Sequence, residues 1–233
     1  MAIVLKSKKY SEMIIDSNKI IGVMGNDYEN FLKSLKGENI FVVNKEKAFK
    51  EKTGFDELNI INEKSGKKKE TNELIELFLK ELKINNYLNK NINELSNSEL
   101  RLLDYLCMLI SNPNIIVIDE PFLNFDYEMK KKITTLLKQI VKSSHKTIII
   151  GSRDSNVIYS LCQKVLLFKD DEYYYGNIDD LEKKDILKKY DINIPDLVEF
   201  VNLAHQKKAI LPYSKDIRDL IKDVYRNVQK KGN

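Results

Sequence analysis

Cysteine is scarce in this chain. The 233 residues contain two, Cys107 and Cys162, far apart and each inside an apolar helical pattern. That placement excludes a disulfide scaffold and a cysteine-ligated metal, and points to a reducing compartment. Histidine is equally sparse, and His145 and His205 read as ordinary polar residues because no ligand constellation surrounds either one. Apolar runs are all far shorter than the ~20 residues that a bilayer span requires. The opening stretch MAIVLKSKKY also lacks the longer apolar region of a signal peptide. The expectation is a chain with no transmembrane segment of its own, whose membrane role, if it has one, comes through partners. Charge of one sign is not in large excess either. The net charge is +4, and the lysine runs Lys67 to Lys69, Lys130 to Lys132 and Lys230 to Lys231 are separated by acidic residues. They read as solvated faces, with contact to anionic lipid or nucleic acid as the lesser alternative. What is present suffices for one domain and an appendage: 42% of residues are hydrophobic, enough for a sizeable core, and 32% are charged, enough to solvate it.

The most informative stretch runs from Leu95 to Asp126. Ser96 followed three residues later by Glu99 is a capping box, which predicts a helix start. Leu100, Leu103, Leu106, Cys107 and Ile110 then recur at helical spacing until Ser111, Asn112 and Pro113 break the pattern. Ile115 to Ile118 is a short β-branched run of the kind buried on both faces in a parallel sheet. It ends in two carboxylates, Asp119 and Glu120, before Pro121. Carboxylates at the carboxyl end of a parallel strand lie where open α/β sheets bind ligands. One can hold Mg²⁺ and the other orient a water; a polar strand end at the surface is the plainer alternative.

Elsewhere Ala2 to Leu5 and Ile20 to Met24 read as strands. Gly25-Asn26-Asp27 turns the second of these into an apolar-periodic segment with Phe31, Leu32 and Leu35, stopped by Gly37. Strand, glycine turn, helix is the layout of a phosphate-binding loop, GxxxxGK[ST], but its chemistry is missing. Counting from Gly25 puts Phe31 where the lysine belongs, and no Lys-Ser/Thr pair follows. Asp27 and Glu29 bring negative charge toward an anionic ligand, and two charges in contact interact by about 1 kcal/mol in water and roughly 4 at an effective dielectric near 20. Loss of one preorganised transition-state contact costs on the order of 100- to 1000-fold in rate, so turnover at this loop is expected to be negligible.

Glu70 to Asn86 and Tyr127 to Lys142 read as amphipathic helices, and Thr147 to Ile150 as a buried strand running into Gly151-Ser152-Arg153-Asp154. Val157 to Leu161, Val165 to Phe168 and Tyr173 to Gly176 read as a helix and a hairpin. After Asn193-Ile194-Pro195 comes a helix with Leu197, Phe200, Val201 and Leu203. Ser214 is placed to cap a last helix striped by Ile217, Leu220, Ile221, Val224 and Val228.

Taken together, Leu95-Ser96-Asn97-Ser98-Glu99, Ile115 to Pro121 and Asn124-Phe125-Asp126 resemble the signature LSGGQ, the Walker B strand ending in DEP and the D-loop of ABC-type ATPases. The residues after Asp185 resemble the C-terminal extension of energy-coupling-factor transporter ATPases, which supports pairing of two ATPase subunits. The resemblance implies an α/β, P-loop NTPase-like ABC ATPase core over 1–180: a mostly parallel sheet with flanking helices, an antiparallel edge and a helical subdomain at about 66–112. A small helical extension over 181–233 follows. It implies ATP and Mg²⁺ as cofactors, with Asp119 holding the metal through water and Glu120 positioning the attacking water. Gly25 and Asn26 would lie at the phosphates, Tyr10 at the adenine, Ser96, Asn97 and Ser98 in the signature, and Asp126 in the D-loop. Arg153 stands in place of the H-loop histidine, where it can bind phosphate but cannot exchange a proton near neutral pH; a surface arginine is the plainer alternative. The Q-loop glutamine has no counterpart, since no glutamine occurs from Met1 to Lys138.

The implied partners are a second ABC ATPase subunit and a membrane-embedded coupling protein, and the implied place is cytoplasmic, at the inner face of the cell membrane. Departures at the Walker A loop, signature, Q-loop and H-loop shape the expected role. It is an ATP-binding subunit of an energy-coupling-factor-like transporter that serves as a degenerate partner with little or no hydrolysis at its own Walker site. A nucleotide-free structural pseudo-ATPase and, less favoured, a DNA-associated ABC-type ATPase are the alternatives.

Overall fold

A computed structural model describes residues 2–6, 12–37, 39–44, 49–65, 79–80, 82 and 87–231. Its strands are β1 (Ala2–Lys6), β2 (Glu12–Asp16), β3 (Ile20–Gly25), β4 (Ile40–Val43), β5 (Ile115–Asp119), β6 (Thr147–Gly151), β7 (Lys164–Lys169) and β8 (Glu172–Asn177). Its helices are α1 (Tyr28–Ser34), α2 (Gly54–Ser65), α3 (Asn97–Ser111), α4 (Tyr127–Ser144), α5 (Ser155–Leu161), α6 (Lys184–Lys189), α7 (Asp196–Gln206) and α8 (Ile217–Lys231). The fold is α/β, with mostly parallel strands and an antiparallel edge. Two units separate by their internal contacts: Met1–Lys19 with Phe31–Ile150, and Ile20–Asn30 with Gly151–Asn233. Among the described residues no helix is long and apolar enough to cross a membrane.

In the first unit β1 and β2 form an antiparallel hairpin. β5 lies between β4 and β6 and pairs in parallel with β4, Val43 opposite Ile118. The β-branched run reads as buried on both faces, and Ile116, Val117 and Ile118 are buried. Helix α3 begins and ends as its sequence dictates. Ser96 Oγ accepts from the Glu99 N–H at 3.3 Å while the Ser96 N–H donates to Glu99 Oε2 at 2.8 Å, and Asn112 closes the helix in the left-handed region at φ 45°. The expected stripe is wider than apolar spacing indicates, because Arg101 through Leu109 are all buried. Most of the expected Glu70 to Asn86 helix lies outside the described residues. β4 and α2 are not among the expected elements, although the β4 run Ile40-Phe41-Val42-Val43 has strand-forming residues throughout.

The capping box gives a testable consequence. Hydrogen bonds from the Ser96 backbone and side chain hold the Glu99 carboxyl below its ordinary pKa. The stability it adds is therefore present above the unfolded carboxyl pKa and is lost as pH falls through the depressed folded value. Ser96→Ala should cost about 1 kcal/mol in urea unfolding at neutral pH. Glu99→Gln should flatten the stability profile at its acid end; an unchanged acid limb would dissociate Glu99 from the cap.

In the second unit β7 lies between β3, to which it is parallel, and β8, to which it is antiparallel. Helix α5 packs on β3 at Gly22, where a Cβ would fall 2.3 Å from Ile158 Cγ2 and 3.1 Å from Cys162 Sγ. A side chain there would push the helix off the strand. Val201, Leu211 and Leu220 form a separate small core, with Leu197, Ala204 and Val224 against it. The α8 stripe is thus two faces. Leu220 and Val224 turn inward, while Ile217, Ile221, Tyr225 and Val228 stand exposed, as do Phe200 and Leu203 of α7. The cap of α8 is also corrected: Asp216 Oδ1 accepts from the Arg218 N–H at 2.8 Å. Ser214 instead pairs locally with the Asp216 backbone, two residues too early to cap.

Candidate functional site

At the carboxyl end of β3 the second unit contains a cleft of about 410 Å³. Its floor is the glycine turn. Gly25 sits at φ 104° in register with Phe168, and a Cβ on it would lie 1.9 Å from the Phe168 carbonyl oxygen. Only glycine fits that approach. The Asn26 N–H then donates to the same carbonyl at 3.3 Å. Its side chain makes a reciprocal pair with Asp170: Nδ2 donates to Asp170 Oδ1, and Oδ1 accepts from the Asp170 N–H, both at 3.2 Å. Asn26, expected at a phosphate, ties the turn to the β7–β8 hairpin. Asn30 donates to Asp27 Oδ1 at 2.9 Å across the start of α1.

Two cations line the cleft, each facing a carboxylate of this same chain. Arg153 Nη2 lies 2.8 Å from Glu29 Oε1, and that hydrogen bond holds the guanidinium pKa above its ordinary value. Lys169 Nζ, at the end of β7, lies 2.7 Å from Asp191 Oδ2. The expected phosphate contact of Arg153 is therefore engaged by the acidic residue expected to repel phosphate. Lys169 and Asp191 are residues that sequence reasoning missed. Lys169 had one usable signal, its position at the carboxyl end of a buried parallel strand, the same signal that singles out Asp119. Asp191 had none, because only the fold brings the segment after α6 back to this cleft. Phe31, where the loop lysine belongs by count, is 1% exposed.

The remaining expected site residues lie in the first unit, apart from Tyr10, which is outside the described residues. Asp119 is 4% exposed at the end of β5, and Glu120 follows in the left-handed region at φ 51°. Their backbone is held from α3 by Arg101, whose Nη2 donates to the carbonyls of Asp119 and Glu120. Its Nη1 donates to the Asn44 carbonyl at 2.7 Å. Tyr105, also on α3, donates to the Pro121 carbonyl at 2.8 Å, and burial pushes its phenol pKa up so that it stays a donor. Ser96, Asn97 and Ser98 open α3, with Ser96 Oγ 3.1 Å from Ser98 Oγ. Asp126 caps α4 by accepting from the Met129 N–H at 2.8 Å. The signature and D-loop positions thus carry helix starts.

A buried carboxylate such as Asp119 suits Mg²⁺, which is commonly held by one or two carboxylates together with substrate phosphates. Among the described residues no cluster of three or more His, Cys, Asp or Glu could hold a metal by itself. A metal at Asp119 would take its other ligands from groups such as water and a bound phosphate.

No known family profile matches the chain. It is 33% identical over 131 residues to an uncharacterized ABC transporter ATP-binding protein of Methanocaldococcus jannaschii, covering 55% of this chain and 50% of that protein. It is 28% identical over 116 residues to the energy-coupling factor transporter ATP-binding protein EcfA2 of Staphylococcus aureus, covering 49% and 41%. The chain thus spans about half the length of these curated relatives. Among solved structures, cbiO1 from Clostridium perfringens, part of the ABC transporter complex cbiONQ, matches with a TM-score of 0.59 at 17% identity over 85% of this chain and 98% of that one. An ATP binding subunit of an ABC transporter matches at 0.67 and 13% identity over 80% and 94%. By sequence the chain is similar to ABC transporter ATP-binding proteins, and its fold is the one these ATPases share.

Proposed function

We propose that this chain is an ATP-binding-type subunit of an energy-coupling-factor-like transporter, acting as a degenerate partner with negligible hydrolysis at its own Walker loop. One observation carries the reading: the loop-lysine position holds a buried phenylalanine, Phe31, while Arg153 and Lys169, the cations of the cleft beside Gly25, are held by Glu29 and Asp191. A phosphate arriving beside Gly25 would meet balanced charge where a working loop presents a lysine and converging N–H groups. The strand-end carboxylates keep the residue types that a nucleotide site uses. Asp119 would hold Mg²⁺, which neutralises charge on phosphate oxygens when bound, and Glu120 would orient water on the strand end that Arg101 supports. Ser96, Asn97, Ser98 and Asp126 would face the partner's nucleotide.

In this reading the ATPase-like core covers 1–180, with a helical subdomain near 66–112, and the extension covers 181–233. The exposed apolar side chains of α7 and α8 suit pairing with a second ATPase. The subunit works at the inner face of the membrane beside an embedded coupling protein. ATP binding measured for the isolated chain, for a candidate sister ATPase and for their mixture tests this. The isolated chain should bind ATP more weakly than about 1 mM, near −4 kcal/mol, and the mixture should bind more ATP than the sister alone. A mixture no better than the sister would favour a structural pseudo-ATPase, and tight binding by the isolated chain would refute the degenerate loop.

A further inference from the structure

We infer that Glu29 and Asp191 are built-in anions. They engage Arg153 and Lys169 as phosphate oxygens would, and their neutralisation uncovers a site for a pyrophosphate-class anion in the cleft beside Gly25. The inference rests on the proposed reading of this cleft as a poor nucleotide site, and adds to it what keeps the cleft shut.

Both pairs join segments that are separate in sequence. Glu29 lies in the first turn of α1 and Arg153 just beyond β6, with 2.8 Å between Glu29 Oε1 and Arg153 Nη2. Lys169 ends β7 and Asp191 follows α6, with 2.7 Å between Lys169 Nζ and Asp191 Oδ2. Asp191 follows the end of α6 in the left-handed conformation common at helix C-termini, φ 53°, with the Ile192 N–H donating to the Leu187 carbonyl at 2.9 Å. Three neutral amides also line the cleft, Asn26, Asn30 and Asn193; Asn26 and Asn30 each bond an acid of this chain, Asp170 and Asp27. The cleft volume of about 410 Å³ falls within the usual range for small-molecule sites. Both cations belong to the cleft lining itself. Arg153 offers a planar fork suited to two oxygens and Lys169 a compact point charge.

Isothermal titration with inorganic pyrophosphate at low salt, without metal, tests the inference on the full chain. Wild type should show no saturable binding below millimolar concentration. Glu29→Gln and Asp191→Asn, each nearly isosteric, should each tighten binding about tenfold, and the double variant about 100-fold, because every neutralised carboxylate removes both a competitor and a repelling charge. Adding Arg153→Gln and Lys169→Gln to the double variant should abolish the gain. Thermal unfolding of each variant establishes that it is folded, and if the double variant is not, Glu29→Gln with and without Arg153→Gln decides. A variant that binds no better than wild type, or a gain that survives loss of the cations, overturns the inference. Tight ATP binding by the isolated wild-type chain would instead overturn the underlying reading of the loop, so the two failures are distinguishable.

Discussion

Gly25→Ala should lower stability by about 3 kcal/mol or more, because the methyl meets both a strained backbone and a neighbouring strand. Two costs combine. At φ 104° the backbone is in a region that side chains rarely enter, at a cost on the order of 1–3 kcal/mol. The added Cβ would also lie 1.9 Å from the Phe168 carbonyl oxygen and 2.8 Å from its carbon and nitrogen. Those are backbone atoms of the neighbouring strand, which cannot rotate away, so β3 and β7 must separate; overpacking of this kind adds about 1–3 kcal/mol. The Asn26 to Asp170 bonds that tie the turn to the hairpin would go with it. Urea unfolding measures the loss as a drop in midpoint at constant slope. Gly37→Ala is the control, since a Cβ there meets only the flexible end of the Ile40 side chain at 3.3 Å, and it should change stability by less than about 0.5 kcal/mol. A loss below about 1 kcal/mol for Gly25→Ala would mean the turn yields and the close approach is not a constraint.

That glycine was legible in the sequence as the turn of a phosphate-binding layout, and so was nearly all of the stretch from Ser96 to Asp126. The reason is local. A capping box, a break at Asn112-Pro113 and a β-branched run ending in two acids each mark their element within a few residues, and the structure has the helix at Asn97–Ser111 and the strand at Ile115–Asp119. What depends on distant partners was not legible. Apolar periodicity gives no sign that Arg101 and Asp104 enter the core of α3, yet both are buried, because a polar residue enters a core only when carbonyls or charges elsewhere receive it. The α8 stripe gave the helix but not its two faces, since the sequence does not say that the cluster of Val201 and Leu211 covers only Leu220 and Val224. In the cleft, Glu29 and Arg153 could each be named, one as repelling and one as attracting phosphate. Their union could not be read from positions 124 residues apart.

Arg101→Met should cost about 3–5 kcal/mol although it keeps an unbranched apolar stem of similar reach. The guanidinium is 5% exposed and serves three carbonyls: Asn44 at 2.7 Å, Glu120 at 2.9 Å, and Asp119. Its plane also lies 5.7 Å from the Tyr105 ring centroid. Methionine removes every donor and leaves the carbonyls to a cavity wall, and each buried acceptor left without a donor costs about 1–3 kcal/mol. Arg101→Lys should recover part of this, since a single ammonium cannot span carbonyls that a planar fork reaches together. A double-mutant cycle separates the role at the strand end from packing. Glu120 is left-handed at φ 51°, a conformation costing about 1–2 kcal/mol in a residue with a side chain, and the bond from Arg101 Nη2 to its carbonyl holds it there. With Glu120→Gly the backbone needs no holding, so the further loss from Arg101→Met should shrink by about 1 kcal/mol, a coupling well above the ~0.3–0.5 kcal/mol scatter of independent sites. Strict additivity would leave Arg101 as a buried packing residue and detach α3 from the geometry of the carboxylate pair.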